Sequence, residues 1–261
     1  MMVRGMARTA RVFDEPAWLA SGRRALDFVR RALWRDGRLL ATYKDGRGHL
    51  NAYLDDHAFL LDAVLELMQC KFRAEDLAFA RELAELLLAR FEDRAAGGFF
   101  FVSHDHEKLV HRAKPGHDNA TPSGNGVAAY ALQRLGHLIG EPRYLEAAER
   151  ALQLFYPSLE RQPSALVSLA TALDEQLAPP QIVVLRGGER EVAEWQHALA
   201  RAYRPAALVV GIARGVGGLP PALDKSLPTD GPAVNAWVCR GVTCLPPITD
   251  LAELERALSR G

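Results

Sequence analysis

Apolar residues recur at helical spacing along most of the chain. Leu60, Leu61, Val64, Leu65 and Met68 fall on one helix face, as do Phe79, Leu83, Leu86, Leu87 and Phe91, which is the pattern of amphipathic helices. It predicts helices over 1–13, 16–34, 53–71, 74–91, 123–139, 142–156 and 163–177. Several starts carry initiating chemistry: Glu15-Pro16 and Glu141-Pro142 put proline in a first turn, and Ser123 can cap the helix that follows it. Past the "APP" at 178–180 the character changes. "QIVVLRG" and "AALVVGIA" are short β-branched runs flanking a helical stretch near 189–203, which reads as a β-α-β unit. "VNAWVC" is a third strand, and "TDLAELERALSR" a capped terminal helix. The expected organisation is a helical part over 1–178 and a small α/β segment over 179–261.

The helical part repeats itself. Glu15-Pro16-x-Trp18-Leu19 matches Glu141-Pro142-x-Tyr144-Leu145, and "KFRAEDLAFARELAELLLARF" is a looser copy with Leu77 in the place of Leu19. From Leu19 to Leu77 is 58 residues and from Leu77 to Leu145 is 68, a period of one helical hairpin plus a variable loop. Turns inside the copies are short, whereas the connections 35–52 and 92–122 between them are long. Long loops on one side favour a closed toroid mouth over an evenly spaced solenoid. "MMVRGMARTARVF" has helical apolar spacing from its first residues and no cap. The expectation is therefore a partial (α/α) toroid, either a fragment of something longer or an array that a partner completes.

Composition narrows the setting. Of 261 residues, 49% are hydrophobic and 25% charged, with Lys and Arg balancing Asp and Glu at zero formal charge, so nucleic acid is not an expected partner. Apolar runs such as "LAELLLARF" are broken by charge well before the ~18 residues of a membrane span, and the start lacks a signal-peptide apolar region. Three cysteines, an odd number, argue against a disulfide scaffold and for a reducing, cytoplasmic setting.

The chemistry concentrates in two places. Asp55-Asp56-His57 opens a helix after a long loop. Carboxylates there can serve as acid and base on a glycosidic bond, and a histidine can abstract a proton at a sugar carbon; equally, acids in a first turn complement the helix dipole. The connection "HRAKPGHDNATPSGNG" carries Arg112, Lys114, Asp118, Asn119, Ser123 and Asn125. Its cations suit a carboxylate or phosphate, and its amides and hydroxyls suit sugar hydroxyls; the competing reading is that Asp118 and Asn119 satisfy loop backbone and Ser123 only caps. His104, His106, His111 and His117 lie in "SHDHEKLVHRAKPGH", where no Cys or Glu spacing completes a metal site. "FFFVSHDHEKLVH" also reads as a β-hairpin, with Gly97-Gly98 marking a helix end before a buried strand. Cys239 and Cys244 flank a turn at a spacing too wide for a C-x-x-C redox pair, and Cys70 falls in an apolar stripe. "GVGGLPPALDKSLPTDG" is a Gly/Pro-rich loop without the G-K-[ST] of a phosphate loop.

Four motifs in order, "YLDDHAFLLDAVLEL", "FEDRAAGGFFF", "HRAKPGHDNATPSGNGVAA" and "AWVCRGVTCLPPITDLAELERAL", resemble the C-terminal part of the thioredoxin-domain-containing, spermatogenesis-associated family. The resemblance implies the later hairpins of a six-hairpin, glycosidase-like (α/α) barrel followed by a small α/β segment, without the family's thioredoxin-like domain. The family's R-x-K…D-x-A-x-P-S-G-N element falls on Arg112, Lys114, Asp118, Ala120, Pro122, Ser123, Gly124 and Asn125, and its acidic pair on Asp55 and Asp56 before Phe59. His57 and His117 stand where the family pattern leads us to expect tyrosine, and Gly126 where it leads us to expect serine. The family tail also carries the cysteine pair, which keeps a disulfide or redox role open for Cys239 and Cys244.

Two functions follow as expectations. One is a carbohydrate bound or processed at the toroid mouth by a glycosidase- or epimerase-like activity. Asp55, Asp56, His57 and Asp118 would be its acid and base groups, Arg112, Lys114, Asn119, Ser123 and Asn125 its substrate contacts, and no metal or cofactor would be needed. The other is a non-catalytic module that pairs with its own copy or with a complementing chain.

Overall fold

A computed structural model of the protein describes residues 1–106, 109–229, 234–241 and 243–259. Glu107 and Lys108 of the "SHDHEKLVH" run, Asp230 and Gly231 of the Gly/Pro-rich loop, and Arg260 of the last helix lie outside the described residues. The chain is mainly helical with a minor sheet part. Its helices are α1 (Met2–Phe13), α2 (Pro16–Ala32), α3 (Leu54–Cys70), α4 (Ala74–Leu86), α5 (Gly124–Ile139), α6 (Pro142–Arg161) and α7 (Val167–Leu177), then α8 (Glu189–Ala200) and α9 (Leu251–Ser259). Several starts and stops have a local cause. Pro16 and Pro142 occupy first-turn positions, Ser123 accepts the Gly126 N–H at 3.0 Å, and Gly140 ends α5 in the left-handed region. The helix expected over 74–91 changes character after Leu86, where Leu87–Phe91 forms one π-turn.

Helices α1, α3, α5 and α7 lie side by side in one row, and α2, α4 and α6 pack behind them. Cross-links fix the row as parallel. Ser168 at the start of α7 lies beside Ser123 at the start of α5, and further along Glu175 pairs with Arg134. In the same way Arg4 meets Asp62, and Arg11 meets Glu66. The short turns at 14–15, 71–73 and 140–141 therefore gather at one end, and the long connections gather at the end where the row begins.

The first long connection is not a plain loop. β1 (Trp34–Arg35), β2 (Arg38–Lys44) and β3 (Arg47–Asn51) form an antiparallel meander. Its two turns are Asp36-Gly37 and Asp45-Gly46, all four residues at positive φ, as tight hairpin turns require. The second connection departs from expectation in the other direction. Among the described residues of 99–113 there is no strand, only an isolated bridge from Glu92 to Phe99. Buried Phe99 and the left-handed Gly97 and Gly98 instead press the loop onto α6, where a Cβ on Gly97 would strike the Arg150 carbonyl.

The remaining strands, β4 (Gln181–Gly187), β5 (Ala207–Ala213), β6 (Val234–Arg240) and β7 (Thr243–Cys244), form a sheet in the order β5-β4-β6-β7. β4 and β5 are parallel through α8, and β6 returns antiparallel to β4. Alternation along β4 splits its residues between two cores. Ile182 and Val184 join the core of the helical rows, while Val183 and Leu185 pack with Val192, Leu199, Leu254 and Leu258 of α8 and α9. The sheet is thus buried on both faces, which is why its strands read as continuous apolar runs.

Candidate functional site

At the start of α3 three neighbouring side chains have three different situations. Asp56 accepts the Tyr53 N–H at 2.9 Å, closing a capping box. His57 turns inward, with Nδ1 2.8 Å from the Tyr53 carbonyl and its ring against Phe91, and burial holds it below the usual histidine range. Asp55 lies against the start of α5, where a Cβ on Gly124 would collide with its carboxylate. Its buried Oδ1 has no partner among the described residues. Burial, then the charge of Asp56, raises its titration, and the Gly124 N–H opposes them.

The polar connection closes around the same helix start. Asp118 is a clasp between two helices: Oδ1 accepts the Ser123 N–H at 2.8 Å and the Ser168 hydroxyl, and Oδ2 accepts the Ser168 N–H at 2.8 Å. Asn125 is fully buried, accepting the Phe99 N–H and donating to the Phe99 and Pro115 carbonyls. Arg112 donates to the Val102 carbonyl and lies over the Phe100 ring, and Lys114 bridges Asp93 and the Gly97 carbonyl. Asn119 is exposed and its side chain accepts the Ala120 N–H. Gly126 sits so close to α7 that a Cβ would overlap Ser168 and Leu169, so this contact suits glycine and not the serine expected there.

Asp55, Asp118, Ser123 and Asn125 therefore converge on the first turn of α5. Arg112 and Lys114 hold the preceding loop. Most of these polar atoms are spent on backbone groups, and Asp55 is the acid among them that keeps an oxygen free.

A second polar set was not singled out from the sequence. One face of each helix in the parallel row carries charge: Arg4, Arg8 and Arg11 on α1, Asp62, Glu66 and Gln69 on α3, Tyr130 and Arg134 on α5, and Glu175 on α7. Arg11 reaches Glu66 and Gln69 at 3.1 and 2.8 Å, and Arg134 grips Glu175 at 2.8 and 3.0 Å while stacking on Tyr130. Arg4 Nε lies 2.9 Å from Asp62 Oδ2 yet is not aligned for a hydrogen bond, so its N–H is left over. Asp62 is 4% exposed. Burial pushes its titration up to about 6, with Arg4 pulling down and Glu66 pushing up. Arg4, Arg8, Phe59, Asp62, Pro122 and Val127 wall a cavity of about 200 Å³ near the start of the row. The signal was present as a 4-8-11 and 62-66-69 spacing, but runs of charge on helices ordinarily mean a solvated face.

Cys239 and Cys244 face each other across β6 and β7 and form a disulfide. The odd cysteine count pointed away from a disulfide scaffold, and what forms is a local clip on one hairpin. Cys70 stays free, with burial pushing its thiol up to about 11, far from a reactive thiolate. Among the described residues no group of three or more His, Cys, Asp or Glu is placed to hold a metal ion, and no helix is long and apolar enough to cross a membrane.

No protein-family model matches the chain. Spermatogenesis-associated protein 20 of Homo sapiens is 27% identical over 277 residues, covering 99% of this chain and 35% of that protein. Its Rattus norvegicus counterpart is 27% identical over 198 residues, covering 72% of this chain and 25% of its own length. Homologues of that name thus cover nearly the whole chain, which spans about a third of the length of the human protein. Among solved structures, cellobiose 2-epimerase from Bacillus thermoamylovorans B4167 is similar with a TM-score of 0.47 at 15% identity, over 59% of this chain and 42% of that one. Cellobiose 2-epimerase from Spirochaeta thermophila DSM 6192 gives 0.46 at 25% identity over the same shares.

Proposed function

We propose that the helical rows are an arc of an (α/α) toroid whose mouth binds a carbohydrate or related polyol. The reading rests on one observation: Asp62, buried and titrating near 6, shares a 200 Å³ cavity with the unspent N–H of Arg4 and the ring of Phe59. A carboxylate and a guanidinium match adjacent hydroxyls, and an aromatic face covers the apolar side of a sugar ring. The cavity is smaller than the ~300 Å³ at which ordinary ligand pockets begin, a size for one ring rather than a long glycan.

Chemistry at this mouth would fall to Asp62. A carboxyl near 6 can both give and take a proton at neutral pH. Hydrolysis of a glycosidic bond needs a second carboxyl across the bond. Asp118 is held in its clasp, Asp56 in its capping box, and Asp55 is not among the residues that wall this cavity, which favours binding or a single-base step over the two-acid reaction. Saturation-transfer NMR with a panel of mono- and disaccharides tests the reading: a sugar should give signal with the wild type and lose it with Asp62→Asn. Absence of signal for every sugar at about 10 mM, or the same signal in both proteins, defeats it.

A second reading has its own observation. Met2, Val12, Phe13 and Trp18, at the leading edge of the arc, are 74%, 53%, 66% and 42% exposed, and clustered apolar exposure marks partner surfaces. A copy of this chain, or a chain that includes a thioredoxin-like domain and further hairpins, would cover this edge. Sedimentation at several concentrations decides it, since a monomer throughout removes the self-association arm.

A further inference from the structure

A second cavity lies further along the row from the mouth cavity, with Arg8 on the wall of both. It is a cleft of about 430 Å³ between the helical row and the α8–β5 connection, within the usual range for a small-molecule site. Five arginines line it, Arg8, Arg11, Arg134, Arg201 and Arg204, against one lining carboxylate, Glu66. Arg11 is met by Glu66, and Arg134 by Glu175 from behind. Arg204 spends one nitrogen on the Leu199 carbonyl. The side chains of Arg8 and Arg201 make no hydrogen bond or ion pair among the described residues. Three guanidiniums thus face the same cleft without a carboxylate to answer them.

A second observation comes from the floor of the cleft. Gln69 is 3% exposed, and its Oε1 is fixed as an acceptor by Arg11 at 2.8 Å. Its Nε2 therefore points its N–H groups elsewhere, and that nitrogen is buried with no partner. A buried amide donor left unpaired costs about 1–3 kcal/mol. The missing counterpart is an acceptor oxygen, and the surrounding guanidiniums favour one that belongs to an anion. Val12, Phe13, Leu199 and Val209 form the apolar remainder of the wall.

We propose that this cleft is a binding site for a small phosphate ester, its phosphate taken by Arg8, Arg201 and the Gln69 amide and its organic part lying on the Phe13 and Leu199 wall. Guanidinium forks match phosphate oxygens two at a time, and a tetrahedral anion can accept from several donors that a single carboxylate cannot reach. The bound ester would join the helical row to the α/β segment, since Arg8 and Gln69 belong to one and Arg201 to the other.

Calorimetric titration of the whole chain with adenosine 5′-monophosphate, glucose 6-phosphate and inorganic phosphate, beside adenosine and glucose, tests the site. At least one ester should bind with a dissociation constant below about 1 mM and about tenfold or more tighter than its parent alcohol. Which ester wins tells a nucleotide from a sugar phosphate as the source. The Arg201→Ala variant, altered at an exposed position, and the double variant R8A/R201A should weaken that binding about tenfold or more with unchanged circular dichroism, while Asp62→Asn at the mouth leaves it as it was. No binding by any of the three phosphates at about 10 mM, equal binding of the parent alcohols, or full affinity in R8A/R201A overturns the proposal.

Discussion

The burial of Asp62 makes a measurable demand on folding. Its carboxyl titrates at an ordinary 3.8 when unfolded and near 6 when folded. Between those values the native state holds a proton that the unfolded chain has released, so stability is fully present below the lower value and is lost as pH rises toward the upper one. Roughly two pH units at about 1.4 kcal/mol each give about 3 kcal/mol. Arg4 is a third exposed on its side chain, so it can return to water when its partner is removed. Asp62→Asn, which cannot ionise, should therefore remove the pH-dependent part and leave the packing in place. Urea unfolding of the wild type and D62N at intervals from pH 3.5 to pH 7.5 would read the difference directly, because every other titrating group cancels between the two. The variant should gain on the wild type by up to about 3 kcal/mol across that window and then stay level. Parallel stability curves would show that Asp62 is not buried as described, and the acid–base reading of the mouth would go with it.

Other expectations follow from the same geometry. Gly124→Ala forces a methyl into the Asp55 carboxylate and Leu54; it should cost about 1–3 kcal/mol in denaturant unfolding, even though alanine is the better helix former. Asn125→Ala orphans the Phe99 N–H and two carbonyls and should cost at least about 3 kcal/mol, whereas exposed Asn119→Ala should stay within about 0.5 kcal/mol. Asp118→Ala releases the starts of α5 and α7 together, and hydrogen exchange should show faster opening in both first turns. Breaking Cys239–Cys244 opens a loop of only 5 residues, so reduction should lower stability by no more than about 2 kcal/mol and leave sugar and phosphate titrations unchanged. A change in either titration would reinstate a thiol role.

Much of the architecture was legible. The helix starts at Pro16, Ser123 and Pro142, the short turns inside each hairpin and the β-α-β unit all follow from local chemistry that neighbours do not overrule. The meander at 34–51 stands where a plain connection is expected, although its two Asp-Gly turns are local hairpin signals. The opposite error fell on 99–111. Three consecutive phenylalanines suggest a strand, but Asn125 takes both the N–H and the carbonyl of Phe99, so a side chain replaces the neighbouring strand. For the candidate site, Asp118, Ser123 and Asn125 meet at one helix start, and most of the polar atoms of 110–126 serve backbone groups.

Sequence alone determined the periodicities, the caps and the end of the row at which the long connections gather, since each depends on residues within a turn or two. Only the tertiary structure decided what the charges do. Arg4, Asp62, Glu66, Gln69 and Arg134 have the spacing of a solvated helix face, and nothing local distinguishes them from one. Asp62, Glu66, Gln69 and Arg134 are buried because the parallel row turns those faces toward one another, and the 199–209 segment closes over Glu66, Gln69 and Arg134. Whether a charge is solvated, paired or left waiting depends on groups more than forty residues away, and long-range packing is what brings those groups together.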